Sequence, residues 1–123
     1  MYVRTGFTKD ELAFLVAMAL GGTVQRAAWG VIGVSGESWE VTLSANPVTG
    51  EPDDDFVNWP WQIEYEPESV PTAAGAAVRD MGALLEALWA AGHWAVAACD
   101  YEHLLPNSGG WHAGRYLGQP GAV

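Results

Sequence analysis

The chain holds one cysteine, one lysine and no apolar run long enough to cross a bilayer. With Cys99 alone, no disulfide can close within the chain, and a lone cysteine in an apolar stretch fits a reducing compartment. Bases number five against 15 acids, for a net charge of −10. Nucleic-acid backbone and anionic membrane surfaces are held by clustered Lys and Arg, so neither is an expected partner. The apolar run Leu12 to Leu20 is too short for a transmembrane helix, and Met1 to Phe7 carries no apolar core of an export signal. A soluble, cytoplasmic protein is expected.

Catalytic and cofactor signatures are scarce too. There is no Gly-x-Ser-x-Gly elbow and no phosphate-binding loop. Gly30, Gly33 and Gly36 recur at three-residue spacing without the pattern of a dinucleotide site. Asp53-Asp54-Asp55 lacks the alternating oxygen ligands, central Gly and terminal Glu of an EF-hand. Cys99 shares parity with Ala95 and Ala97, which predicts a core thiol and not an activated nucleophile. A glycosidase-type acid needs apolar burial to raise its pKa, and the acids here fall on polar parities or in loops.

What the chain does have is apolar material. Half of its 123 residues are hydrophobic and seven are Trp, which excludes a disordered acidic tail. That length suits one domain, residues 1–123, with an irregular Gly-rich segment from about residue 106. Tyr2 to Thr5 reads as a short strand. Thr8 and Glu11 have capping-box spacing ahead of a helix whose buried face is Leu12, Leu15, Val16 and Ala19, and Gly21-Gly22 ends it. Val24 to Val34 is apolar on both parities and predicts a central strand, or one bent near Gly30 and Gly33. A turn at residues 35–38 leads into Trp39, Val41 and Leu43, which alternate with Glu40, Thr42 and Ser44. After a loop from Asn46 to Asp55, Trp59, Trp61, Ile63 and Tyr65 alternate with Gln62, Glu64 and Glu66. Thr72 is read as the cap of a second helix reaching about Ala91, with Val78, Met81, Leu85 and Leu88 as its stripe. Trp94 to Cys99 reads as an interior strand. The predicted fold is α+β: an antiparallel sheet of about four or five strands carrying two helices, in the order β-α-β-β-β-α-β.

Two constellations carry candidate chemistry. Asp100, His103 and His112 would make a metal site if the Pro106–Gly110 turn folds back, although their spacing matches no known ligand pattern. The second is a charge layout. Ala27 to Val78 contains no Lys, Arg or His and nine acids, whereas the rest of the chain is almost balanced. Alternation turns Glu40, Glu64 and Glu66 to one face, beside Glu51 and Asp53-Asp54-Asp55 on the loop, with Trp59 or Trp61 at the fringe. Such a face is either solvated surface or a site for a basic protein partner, whose approach focused charge accelerates.

One stretch is an Asp-rich loop followed by Phe56-Val57-Asn58-Trp59-Pro60-Trp61-Gln62-Ile63-Glu64-Tyr65-Glu66-Pro67 and an alanine-rich helix. It ends in Ala97-Ala98-Cys99-Asp100-Tyr101-Glu102-His103-Leu104-Leu105-Pro106. This second half resembles the small acidic immunity proteins that accompany bacterial polymorphic or contact-dependent toxins. The resemblance implies a cytoplasmic antitoxin that binds a toxin domain, uses no cofactor and performs no catalysis. It transfers no individual residue, so the interface reading rests on charge. Two other readings stay open: a small ligand- or metal-binding domain or enzyme using the His93–His112 region, and a structural, oligomer-forming accessory protein.

Overall fold

A computed structural model describes residues 1–26, 30–47, 56–67, 73–99, 101–112 and 115–117. The fold is α+β, as the sequence predicts. Strands β1 (Tyr2–Arg4), β2 (Thr23–Arg26), β3 (Ile32–Ser35), β4 (Trp39–Ala45), β5 (Trp61–Pro67) and β6 (Trp94–Val96) form one sheet in the order β2-β3-β4-β5-β1-β6. Every neighbouring pair is antiparallel. Helix α1 (Lys9–Leu20) joins β1 to β2 and helix α2 (Ala73–Ala90) joins β5 to β6. A two-stranded hairpin, β7 (Trp111–His112) with β8 (Arg115–Tyr116), follows.

The topology places both helices on one face. Each helix links two parallel strands, and such crossovers are right-handed almost without exception. The two crossovers start from antiparallel strands, β1 and β5, and run toward opposite edges. One handedness therefore puts both helices on the same side, where they pack against each other.

Local chemistry sets the helix ends. Thr8 Oγ1 accepts from Glu11 N at 3.3 Å and Glu11 Oε1 accepts from Thr8 N at 3.0 Å, the expected capping box. Gly21 takes the left-handed conformation, and its N–H donates to Ala17 O at 2.9 Å. The core lies between helices and sheet. Leu12, Ala13 and Val16 of α1 and Met81, Leu84, Leu85 and Leu88 of α2 meet Ile32, Val34, Val41, Leu43 and Ile63.

Three expectations are corrected. The apolar stretch from Val24 to Val34 is two strands, not one. Gly30 takes a positive φ of 74°, a turn conformation open to glycine, and separates β2 from β3. β2 is consequently the sheet's outer strand, exposed at all four residues, and the sheet has six strands in the order β-α-β-β-β-β-α-β. Trp94 to Cys99 is not interior, since β6 is the other edge and pairs only with β1 within the sheet. Its apolar character reflects a different cover: Ala97 N donates to Gly109 O at 2.8 Å, Trp89 Nε1 donates to Ala95 O at 3.1 Å, and Tyr116 hydroxyl accepts from Ala95 N at 3.4 Å. The expected Thr72 cap lies outside the described residues. No described helix is long and apolar enough to cross a membrane.

Candidate functional site

The sheet's outer face, opposite the helices, divides into two halves. Over β1 and β6 it is covered by rings. Trp59 is only 2 % exposed and makes edge contacts with Trp94 at 6.2 Å and Tyr116 at 5.8 Å, while Trp94 and Tyr116 stack at 4.3 Å. Phe56 bridges Tyr2 at 5.4 Å and Trp111 at 5.1 Å. The Arg4 guanidinium lies 5.9 Å over the Trp94 ring. Buried Asn46 fixes the turn that delivers Phe56 and Trp59, its Nδ2 donating to Val57 O and Trp59 O at 2.7 Å each. Trp59 was expected to share a strand parity with Trp61 and to fringe the acidic surface. It precedes β5 and is buried among these rings instead, so it is no exposed anchor.

Over β4 and β5 the same face carries no such ring cover among the described residues. Glu40 and Glu66 are direct cross-strand partners, and Glu64 stands two residues along, opposite Thr42. All three carboxylates are exposed. Trp39, Val41, Leu43 and Ile63, the other parity, are buried against the helices. Ser35 neighbours Glu40 on β3, and Ser44 and Gln62 complete the surface. Like charges directly opposite each other destabilise an antiparallel pair. Among the described side chains of this half-face there is no base. Arg4, on the same face, lies over Trp94 at the far end of the sheet. Glu51 and Asp53-Asp54-Asp55 lie outside the described residues.

The His93–His112 constellation does not assemble in what is described. His103 is exposed on a 3-10 turn, Asp100 lies outside the described residues, and nothing is placed for the His112 side chain. No described group of three or more His, Cys, Asp and Glu residues is arranged to hold a metal ion. His93 is elsewhere, buried on the helix face, with Nδ1 2.7 Å from Thr5 Oγ1 and its ring edge-on to Phe7 at 4.2 Å. Thr5 Oγ1 also accepts from Phe7 N at 2.9 Å, so its own hydroxyl proton is available to His93 Nδ1. Burial pushes the imidazole below its usual range. Cys99 is half-buried against the core, and burial pushes its thiol up, away from the reactive thiolate.

Sequence reasoning missed two other features. Tyr65 faces the helices and its hydroxyl donates to Asp80 Oδ2 at 2.6 Å; burial first, and this bond second, raise the phenol well above its ordinary range. An apolar groove of about 450 Å³ also runs between α1 and α2, walled by Phe7, Phe14, Leu15, Met18, Ala87 and Ala91. The absence of any polar residue from Leu12 to Leu20 was the signal for it. No protein-family model matches the chain, and neither a curated protein nor a solved structure is significantly similar to it.

Proposed function

We propose that this protein is a non-catalytic, stoichiometric inhibitor of the immunity-protein kind, which neutralises a basic toxin domain, such as a nuclease, in the cytoplasm. The reading is supported by one observation above the rest: Glu40 and Glu66 face each other across β4 and β5 with Glu64 beside them and no described base on that half-face. The arrangement costs stability, and the covered half of the same face is built from rings instead. A cationic partner surface would repay that cost and be steered to it. A nuclease groove that holds a phosphate backbone has such a surface. The resemblance of residues 56–67 and 97–106 to acidic immunity proteins points the same way.

Co-expression tests the proposal. The product of the neighbouring toxin gene should be lethal alone and tolerated with this protein, and the purified pair should bind in a salt-sensitive manner. Replacing Glu40, Glu64 and Glu66 together with Lys should abolish rescue while the variant stays folded. Neither binding nor rescue by the natural chain would refute it.

A further inference from the structure

We propose that the chain forms a two-fold homodimer through its helix layer, in which Phe14 and Met18 of α1 in each copy seat on the alanine strip of α2 in the other. From Leu12 to Leu20 α1 has no polar residue, and a helix apolar all round is normally buried all round. Within the chain, only Leu12, Ala13 and Val16 of α1 are buried. Phe14 and Met18, one turn apart on the side away from the sheet, stay 63 % and 71 % exposed, more than any other large hydrophobic side chain described. They wall the groove between α1 and α2, whose other wall is Ala87 and Ala91. On α2, Ala83, Ala87, Ala90 and Ala91 recur at the spacing of one helix face, and all but the half-buried Ala87 are exposed. A ridge of two long apolar side chains therefore lies beside a strip where the helix surface ends at Cβ.

A second copy matches this relief in shape, area and charge. α1 and α2 run antiparallel, since they return from the antiparallel strands β1 and β5. A two-fold axis parallel to the helices sets α1 of each copy over α2 of the other, again antiparallel and at the same height. Phe14, Leu15 and Met18 share the groove with Ala87. The axis thus carries Phe14 of one copy to the level of Ala87 in the other, and Met18, one turn on, to Ala83. A ridge settling beside small residues allows ordinary helix spacings of roughly 8–10 Å. A two-fold contact needs a patch that is its own complement, and ridge and strip side by side make one. The 12 residues of α1 span about 18 Å, and two helices abreast are roughly 20 Å across, which gives about 360 Å² in plan. The ridges raise the accessible area above the plan, toward the ~600 Å² per partner of weak, reversible interfaces. Glu11 is the one ionisable residue walling the groove, and its carboxylate is tied to Thr8 N at the end of the layer. The two copies of Glu11 meet only across the diagonal, where the α1 axes are roughly 11–14 Å apart and the edge is open to water. α1 has no base in its last turn. Arg79 precedes Ala87 by about 12 Å along α2, so Arg79 of the second copy comes level with the C-terminal end of α1, where a cation is favoured. The helix layer lies on the other side of the sheet from Glu40, Glu64 and Glu66. Pairing there leaves the acidic half-face open and does not depend on toxin binding.

Sedimentation equilibrium on the full chain, from low micromolar to near-millimolar concentration, decides the matter. The expected result is a concentration-dependent dimer. Replacing Phe14 and Met18 together with Lys should weaken dimerisation on the order of tenfold or more, as expected for interface anchors. Its thermal midpoint should match that of the natural chain at concentrations where both are monomeric. Ala83→Lys, at an exposed position on the other helix, should weaken the dimer too, and it serves alone should the first variant misfold. A monomer at every concentration would overturn the proposal, including the case in which the groove takes a helix of another protein. So would a dimer that either folded variant leaves untouched, because ridge and strip must meet.

Discussion

One face of one sheet carries two opposite solutions. Over β1 and β6, Phe56, Trp59, Trp111 and Tyr116 are brought in from outside the sheet to cover Tyr2, Trp94 and Val96. Over β4 and β5, three carboxylates stand in the open with two of them face to face. Among the described residues, the ring cover lies on one half of the face only. The first half is held by burial, and the second withstands a local repulsion that burial elsewhere must offset.

The contrast can be broken most forcefully at Trp59. Removing its ring should cost about 3–5 kcal/mol, the usual range for a buried large aromatic replaced by Ala. Trp59→Ala should lower the midpoint of chemical denaturation sharply. It should leave association with a cationic partner unchanged wherever the variant is folded, since the ring is buried and not presented. A loss of binding in folded Trp59→Ala would mean that the two halves act as one site.

A smaller effect is expected at the covered edge. Gly110 has φ +96°, and a Cβ there would lie 2.8 Å from Ala95 O and 3.0 Å from the Trp89 ring. Gly110→Ala should cost about 1–3 kcal/mol through backbone strain and crowding. Amide exchange at Ala95 and Ala97 should rise with it, because residues 106–110 are what closes β6.

Much of this was legible in the sequence, and what was not has physical causes. The capping box of α1 and the alternation of β4 and β5 are local patterns, and the outward placement of Glu40, Glu64 and Glu66 followed from them. The division of Val24 to Val34 turns on the backbone at Gly30, which an apolar run does not announce. Trp59 was misplaced because it shares parity with Trp61 across Pro60, although the strand starts only after the proline. The ring cover unites Tyr2, Phe56, Trp59, Trp94, Trp111 and Tyr116, contacts of long sequence separation that no period encodes. His93 looked like part of a ligand cluster by proximity in sequence, yet it packs with Thr5 and Phe7.

The buried imidazole of His93 gives the fold a pH dependence. Burial lowers the folded-state pKa of His93 below the ordinary value near 6.5. Below that value the unfolded chain takes up the proton and the folded chain resists, so stability is intact at neutral pH. It falls as pH drops from about 6.5 toward the lowered value. One group limits the slope to about 1.4 kcal/mol per pH unit. Denaturation curves at pH 7.5, 6 and 5 should show the decline, and His93→Gln, which keeps an acceptor for Thr5, should flatten it. An equal decline in that variant would assign the acid sensitivity elsewhere.

The smallest effect bears most directly on function. Glu40→Gln removes one of two directly opposed charges on β4 and β5, and relief of such a pair should raise stability by about 0.2–1 kcal/mol. Glu66→Gln should do the same, and the double variant should gain less than the sum, because either change alone already removes the repulsion. The same substitutions should slow association with a cationic partner, an effect that shrinks in high salt, while dissociation changes little. Stability and binding then move in opposite directions, as expected of residues kept for recognition and not for folding. A gain in stability with no loss of association rate would leave Glu40, Glu64 and Glu66 as ordinary solvated surface. A loss of stability would show that the two carboxylates are held by contacts of their own, and the comparison between the two half-faces would have to be redrawn.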